Sequence, residues 1–182
     1  MPLSVSELRE HFAYSAWASQ RLVQAATALS EADLQRDFQT ADRSVLGTLV
    51  HTFAADRVWL ARFRQLPNPP YSTPADYQMS VLVEQWPALY REWDEWLSAQ
   101  DEDGIAADLT YKDMKGNVWS NPIWKLALHV VNHGTHHRGQ VSGFLRTMGH
   151  APSALDRRRL PHKKSPSRRR QLPRPRTRCL AG

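Results

Sequence analysis

The chain holds a single cysteine, Cys179, among 182 residues, so an intrachain disulfide is excluded. No apolar run approaches the ~20 residues that a membrane-spanning helix needs. The opening MPLSVSELRE lacks the apolar core of a secretory leader. These absences predict a cytoplasmic protein without a membrane partner. Only eight glycines are present, and no glycine-rich phosphate loop is among them. No nucleophile has an evident base. Ser120 and Ser142 read as cap and packing residues, and Glu92 and Asp94 lie in a charged, solvated helix face.

What is present is enough for one domain with a sizeable core. Hydrophobic residues make up 41% and aromatics 9%, and seven tryptophans favour large helix–helix contacts. The net charge of +6 is unevenly placed. From Ala151 onward there are eleven Lys or Arg and one acid, Asp156, which leaves residues 1–150 at −4. The basic character belongs to the tail, so overall charge does not make the body a nucleic-acid binder. Residues 157–182 combine prolines with blocks of like charge and have no apolar period, which predicts disorder. Such an arm is either simply solvated or a nucleic-acid contact.

Helical signals dominate the rest. Ser4-Val5-Ser6-Glu7 reads as a capping box. Leu8, Phe12, Leu22, Ala25 and Leu29 share the face that follows, with Ser15 and Ala18 leaving room for a close neighbour. A short turn is predicted within 30–37. Ser44 caps a second helix running to Arg64, with Leu46, Leu49, Val50, Phe53, Leu60 and Phe63 on a broad apolar face. The Pro-rich stretch 66–74 reads as a loop. A third helix spans 77–98, with Pro87 predicted to kink it or mark its true start. After a turn at 101–105, Leu109–Lys112 and Asn117–Trp119 flank Gly116 as a short hairpin. The fourth helix is predicted from Asn121 as N-cap and Pro122 as first helical residue to Met148, with Gly149 as the stop. The expected fold is all-α: a four-helix bundle over 1–156, a hairpin before its last helix, and a basic tail over 157–182.

The fourth helix carries the chemistry. Leu126, Val130, His133, His137, Val141 and Phe144 recur at steps of three and four. His133 and His137 therefore stand one turn apart on an apolar stripe. Two buried imidazoles without partners would be unfavourable, and a shared metal ion removes that problem. His51 lies on the flank of the second helix's apolar face beside the small residues Gly47, Ala54 and Ala55. His51, His133 and His137 are the candidate metal ligands, three imidazoles on two facing helices with at least one position left for water or substrate. Zn, Ni and Fe all accept such donors. His129 reads as an outer ligand or a neighbour of the ligands, and His136 points about 100° away from His137. Asn132 and Gln140 are placed to orient the ligand rings. Arg138 is expected to form an inter-helix ion pair, with Asp56 either its partner or solvated.

The run HVVNHGTHHRGQVSGFLRTMGHAPSALD, from His129 to Asp156, closely resembles the DinB family. The second-helix run SVLGTLVHTFAADRVWLARF and the early FAYSAWASQRLV resemble it too. The resemblance covers residues 5 to about 156. It implies an up-down-down-up four-helix bundle, commonly a homodimer, with one metal-ligating histidine from the second helix and two from the fourth. On this chain those positions fall on His51, His133 and His137. His136 stands where relatives often carry Tyr. Related proteins include transferases and isomerases that use low-molecular-weight thiols, and some metal-dependent hydrolases. The family name refers to damage-inducible expression, not to a reaction. After Asp156 the chain departs from the family pattern, in which an apolar segment packs on the bundle; a frameshift would account for the Arg- and Pro-rich end.

Three functions follow as expectations. The first is a metal-dependent enzyme that activates a low-molecular-weight thiol or water for attack on a small electrophile, with no general base identifiable. The second is a non-catalytic, dimeric metal-binding stress protein. The third is a nucleic-acid binder acting through the tail.

Overall fold

A computed structural model describes residues 3–156. The basic segment 157–182, with Cys179, lies outside the described residues, and so do the expectations of disorder, nucleic-acid contact and frameshift that fall on it.

Helix α1 (Val5–Ala26) opens on the expected capping box: Ser4 Oγ accepts from the Glu7 N–H at 3.2 Å, and Glu7 accepts from the Ser4 N–H at 2.8 Å. Leu8, Phe12 and Leu22 are buried, with Ser15, Ala18 and Ser19 between them. A single turn, α2 (Glu31–Gln35), precedes α3 (Val45–Phe63), whose N-cap Ser44 accepts from the Gly47 N–H at 3.0 Å. A loop and a 3₁₀ turn at Pro74–Asp76 lead into α4 (Met79–Ser98). Pro87 lies inside α4 and does not mark its start. The short α5 (Glu102–Ala106) fills the expected turn, and strands β1 (Asp108–Lys112) and β2 (Val118–Pro122) form the expected hairpin.

The last long helix, α6 (Ile123–Thr147), begins one residue later than its cap signals suggest. Asn121 pairs with Leu109 and Pro122 with Asp108 in the antiparallel ladder, so neither is helical. The Ile123 N–H is instead used by the Ala107 carbonyl at 3.0 Å. Strand pairing outcompetes a local cap because it satisfies more backbone groups. The stop is as expected. Gly149 takes φ +81°, and the His150 N–H bonds the Leu145 carbonyl at 2.8 Å, closing the helix as a Schellman motif.

The four long helices form a ring. α1 lies against α4 and α6, and α3 completes the circle against the same two. The result is an all-α four-helix bundle with one small hairpin. Trp86 and Trp93 are fully enclosed at its centre, whereas Trp119 on the hairpin is 51% exposed. After α6 the chain folds back: Pro152 is buried, and the Tyr14 hydroxyl donates to the Leu155 carbonyl at 2.9 Å. No described helix is long and apolar enough to cross a membrane.

Candidate metal centre

Because α3 and α6 are neighbours in the ring, His51 faces His133 and His137 across one interface. Each of the three offers one ring nitrogen within 4.8 Å of the others, a group that could hold a metal ion. His51 Nε2 and His133 Nε2 stand 3.0 Å apart. Two nitrogens on one tetrahedral zinc would be separated by about 3.3 Å, given Zn–N bonds near 2.0–2.1 Å. The ring centroids lie 4.4 Å apart for His51–His137 and 4.5 Å for His133–His137.

The opposite nitrogens are braced. His51 Nδ1 lies 3.2 Å from Asp42 Oδ1 and 3.0 Å from the Tyr71 hydroxyl. His137 Nδ1 lies 2.7 Å from Gln140 Oε1 and 3.6 Å from Asp42 Oδ2. Carboxylate and amide oxygens only accept, so these neighbours favour the hydrogen on both Nδ1 atoms, the tautomer that leaves both Nε2 lone pairs free. Carboxylate and amide partners on the far nitrogen are how proteins fix metal-ligating imidazoles. Of the two side chains expected in this role, Gln140 takes it, whereas Asn132 is exposed. His129 packs its ring on Trp59 at 5.3 Å, and His136 is exposed.

Sequence reasoning missed Asp42 and Tyr71, because both come from loops. One signal for Asp42 was present. The backbone of Asp42 lies so close to α3 that a Cβ on Gly47 would come within 2.2 Å of the Asp42 carbonyl oxygen. Gly47 therefore admits the 41–43 turn, not the imidazole, and that turn sets the carboxylate beside two histidines. Replacing Asp42 with Asn keeps the shape and removes the charge. Divalent-ion affinity is expected to fall about 10–100-fold, read by competition with a chromophoric chelator. An unchanged affinity would mean that the carboxylate does not support the ligands.

Burial is the main reason that His133 and His137 resist protonation. It lowers His133 to about 3, with the charges of His137 and His51 adding to the effect. Burial likewise lowers His137 and, further along the helix, His129. The unfolded chain therefore binds more protons below about pH 6.5, the ordinary histidine value. The stability these groups contribute is full above that pH and is lost as pH falls towards the folded values. Asp56 has the opposite sign. Burial raises its carboxyl from 3.8 to about 6, so acidification through that window favours the folded state. With three imidazoles opposing one carboxyl, the urea midpoint of ion-free protein is expected to fall between pH 7 and pH 5. A constant or rising midpoint would contradict it.

Arg138 and Asp56 are both buried, yet no ion pair forms between them among the described residues. Arg138 donates to Thr135 Oγ1 at 2.9 Å and Ser15 Oγ at 3.3 Å. Asp56 accepts from Trp86 Nε1 at 2.9 Å, so it is neither solvated nor paired as expected.

Residues 1–171 match the model of the DinB family, a stretch that runs past Asp156. The chain is also 23% identical over 151 residues to Protein DinB of Bacillus subtilis (strain 168), covering 80% of this chain and 88% of that protein. With a helical ring, a three-histidine group across α3 and α6, and a family match over most of its length, the chain belongs to the DinB family.

Proposed function

We propose that this protein is a metal-dependent enzyme whose divalent ion is held by His51, His133 and His137. The observation that carries this is the orientation of the rings: His51 and His137 turn their Nδ1 atoms to Asp42 and Gln140, which leaves the Nε2 atoms for a shared cation. Such an ion supplies Lewis acidity, lowering the pKa of a thiol or water that binds it. Asp42 and Gln140 hold two ligand rings in place. Burial keeps His133 and His137 neutral and therefore able to ligate at pH 7.

A cleft of about 660 Å³ adjoins His51 and is lined in part by Asp42, Ser44, Tyr71, Ser72 and Tyr77. Its size and polar wall suit a small polar molecule. The family resemblance favours a low-molecular-weight thiol attacking a small electrophile, with hydrolysis as the close alternative. It also favours a homodimer, tested by sedimentation.

Purified chain reconstituted separately with Zn, Ni and Fe should bind about one ion per chain. Turnover of a model electrophile should then require both the ion and a thiol. Turnover without thiol selects hydrolysis. Tight ion binding with no turnover selects a non-catalytic metal-binding protein, and failure to bind any of the three ions removes the proposal.

A further inference from the structure

Tyr71 lies on the loop between α3 and α4, far from any helical register that would place it. Its hydroxyl nevertheless sits 3.0 Å from His51 Nδ1, 3.4 Å from His51 Nε2 and 3.2 Å from the His51 carbonyl oxygen. Its ring lies 5.5 Å from the imidazole, tilted by 56°. The phenol therefore flanks the imidazole edge on the side where the cleft opens, since His51 and Tyr71 both line that cleft.

The loop is fixed there by a clamp. Arg57, on α3, makes two parallel bonds to Asp76, Nη1 to Oδ1 at 2.9 Å and Nη2 to Oδ2 at 3.0 Å. The same Nη2 also donates to the Tyr71 carbonyl at 3.2 Å and the Pro70 carbonyl at 3.4 Å. Asp76, almost fully buried, accepts from the Thr73 N–H at 2.6 Å and from its hydroxyl at 3.1 Å. Bidentate guanidinium–carboxylate pairs fix angle as well as distance. The clamp joins the helix that carries His51 to both sides of Tyr71.

Hydrogen-bond accounting then leaves the phenol with capacity to spare. With the hydrogen of His51 on Nδ1, beside the Tyr71 oxygen at 3.0 Å and Asp42 Oδ1 at 3.2 Å, that nitrogen has no lone pair for the Tyr71 O–H. With the Nε2 lone pair, 3.4 Å away, given to the ion, the remaining acceptor among the described residues is the His51 carbonyl, at a long 3.2 Å. A weak bond of that kind is readily exchanged for a better acceptor in the cleft.

We propose that Tyr71, held by the Arg57–Asp76 clamp, donates a hydrogen bond to the small molecule that occupies the ion's remaining position. The class of ligand it selects is one whose donor atom still carries a lone pair: a thiolate, a carbonyl or carboxylate oxygen, or a small anion. The inference rests on the three-histidine centre proposed above and assigns it a further residue from outside the bundle helices.

Cobalt(II) is the probe, because imidazole sites accept it and its visible spectrum reports what is bound. Azide supplies the anion. Tyr71→Phe should take up cobalt within about threefold of the unaltered chain, since His51 keeps Asp42 and His137 keeps Gln140 beside Nδ1. Its azide affinity should fall about ten- to hundredfold, the effect of losing one hydrogen bond to a charged acceptor. Arg57→Lys, which cannot make the fork, should reproduce the azide loss, and the double variant should be no weaker than Tyr71→Phe alone. Equal azide affinity in Tyr71→Phe and the unaltered chain overturns the proposal. Loss of cobalt from a folded Tyr71→Phe also overturns it, because Tyr71 would then hold the ion and not its ligand. An Arg57→Lys protein that stays folded and binds azide normally overturns the clamp. If the unaltered chain binds no cobalt, the three-histidine centre fails first and this inference with it.

Discussion

His133→Ala is expected to weaken divalent-ion binding by on the order of 10²–10³-fold, the share of one ligand in a typical protein zinc site. His133 completes the group on α6, with its centroid 5.0 Å from that of His51 and 4.5 Å from that of His137. The ion-free protein should change little. The substitution removes an imidazole that burial already penalises, and no carboxylate or amide is orphaned by its loss. The difference appears on adding the ion. At a concentration 100 times its Kd, an ion that binds only the folded state adds about 2.7 kcal/mol of stability. At the same concentration the variant would gain no more than about 0.4 kcal/mol. Urea midpoints with and without ion, alongside metal content, read this directly. A variant that keeps the full ion-induced shift would exclude His133 from the ligand set.

The contrast between what could and could not be read from sequence follows from the range over which each feature is encoded. The partnership of His133 with His137 is a property of one helix: four residues are about one turn, and α6 had only to form. His51 required a further step, that α3 and α6 be neighbours, and the small residues near it were a usable hint. Of those small residues, Gly47 makes room for the Asp42 backbone and not for the ring. The start of α6 was misplaced because Asn121 and Pro122 are good local cap signals, whereas their ladder partners Leu109 and Asp108 lie across the hairpin. Asp42 and Tyr71 were invisible for a related reason. The segment before α3 turns on residues with positive φ, Gln39 at 58° and Arg43 at 63°, which no residue type there announces. Tyr71 is placed by Arg57 and Asp76, nineteen positions apart. Side chains on helices are fixed by periodicity, and those on loops by tertiary bonds that no local pattern records.

Asp56 shows the same limit in the core, and it leads to the second large effect. Trp86→Phe is expected to destabilise the bundle by about 3–4 kcal/mol, and Trp93→Phe by only about 1–2 kcal/mol, although both indoles are fully enclosed. The two substitutions remove the same volume. They differ in the indole N–H. Trp86 donates to Asp56 Oδ2 at 2.9 Å, whereas Trp93 Nε1 has no hydrogen-bond partner among the described residues. Truncating Trp93 thus discards an unsatisfied donor, and truncating Trp86 leaves a buried carboxylate with one fewer. Urea unfolding at constant m measures both. The gap should also depend on pH. Asp56 titrates near 6 in the folded protein, above its unfolded value, so its charge is present and in need of the donor above pH 6 and is neutralised below it. The two variants should therefore differ most near pH 7.5 and converge towards pH 5. Equal penalties at every pH would mean that Trp86 serves the core by its volume alone, and that Asp56 is held by its other neighbours.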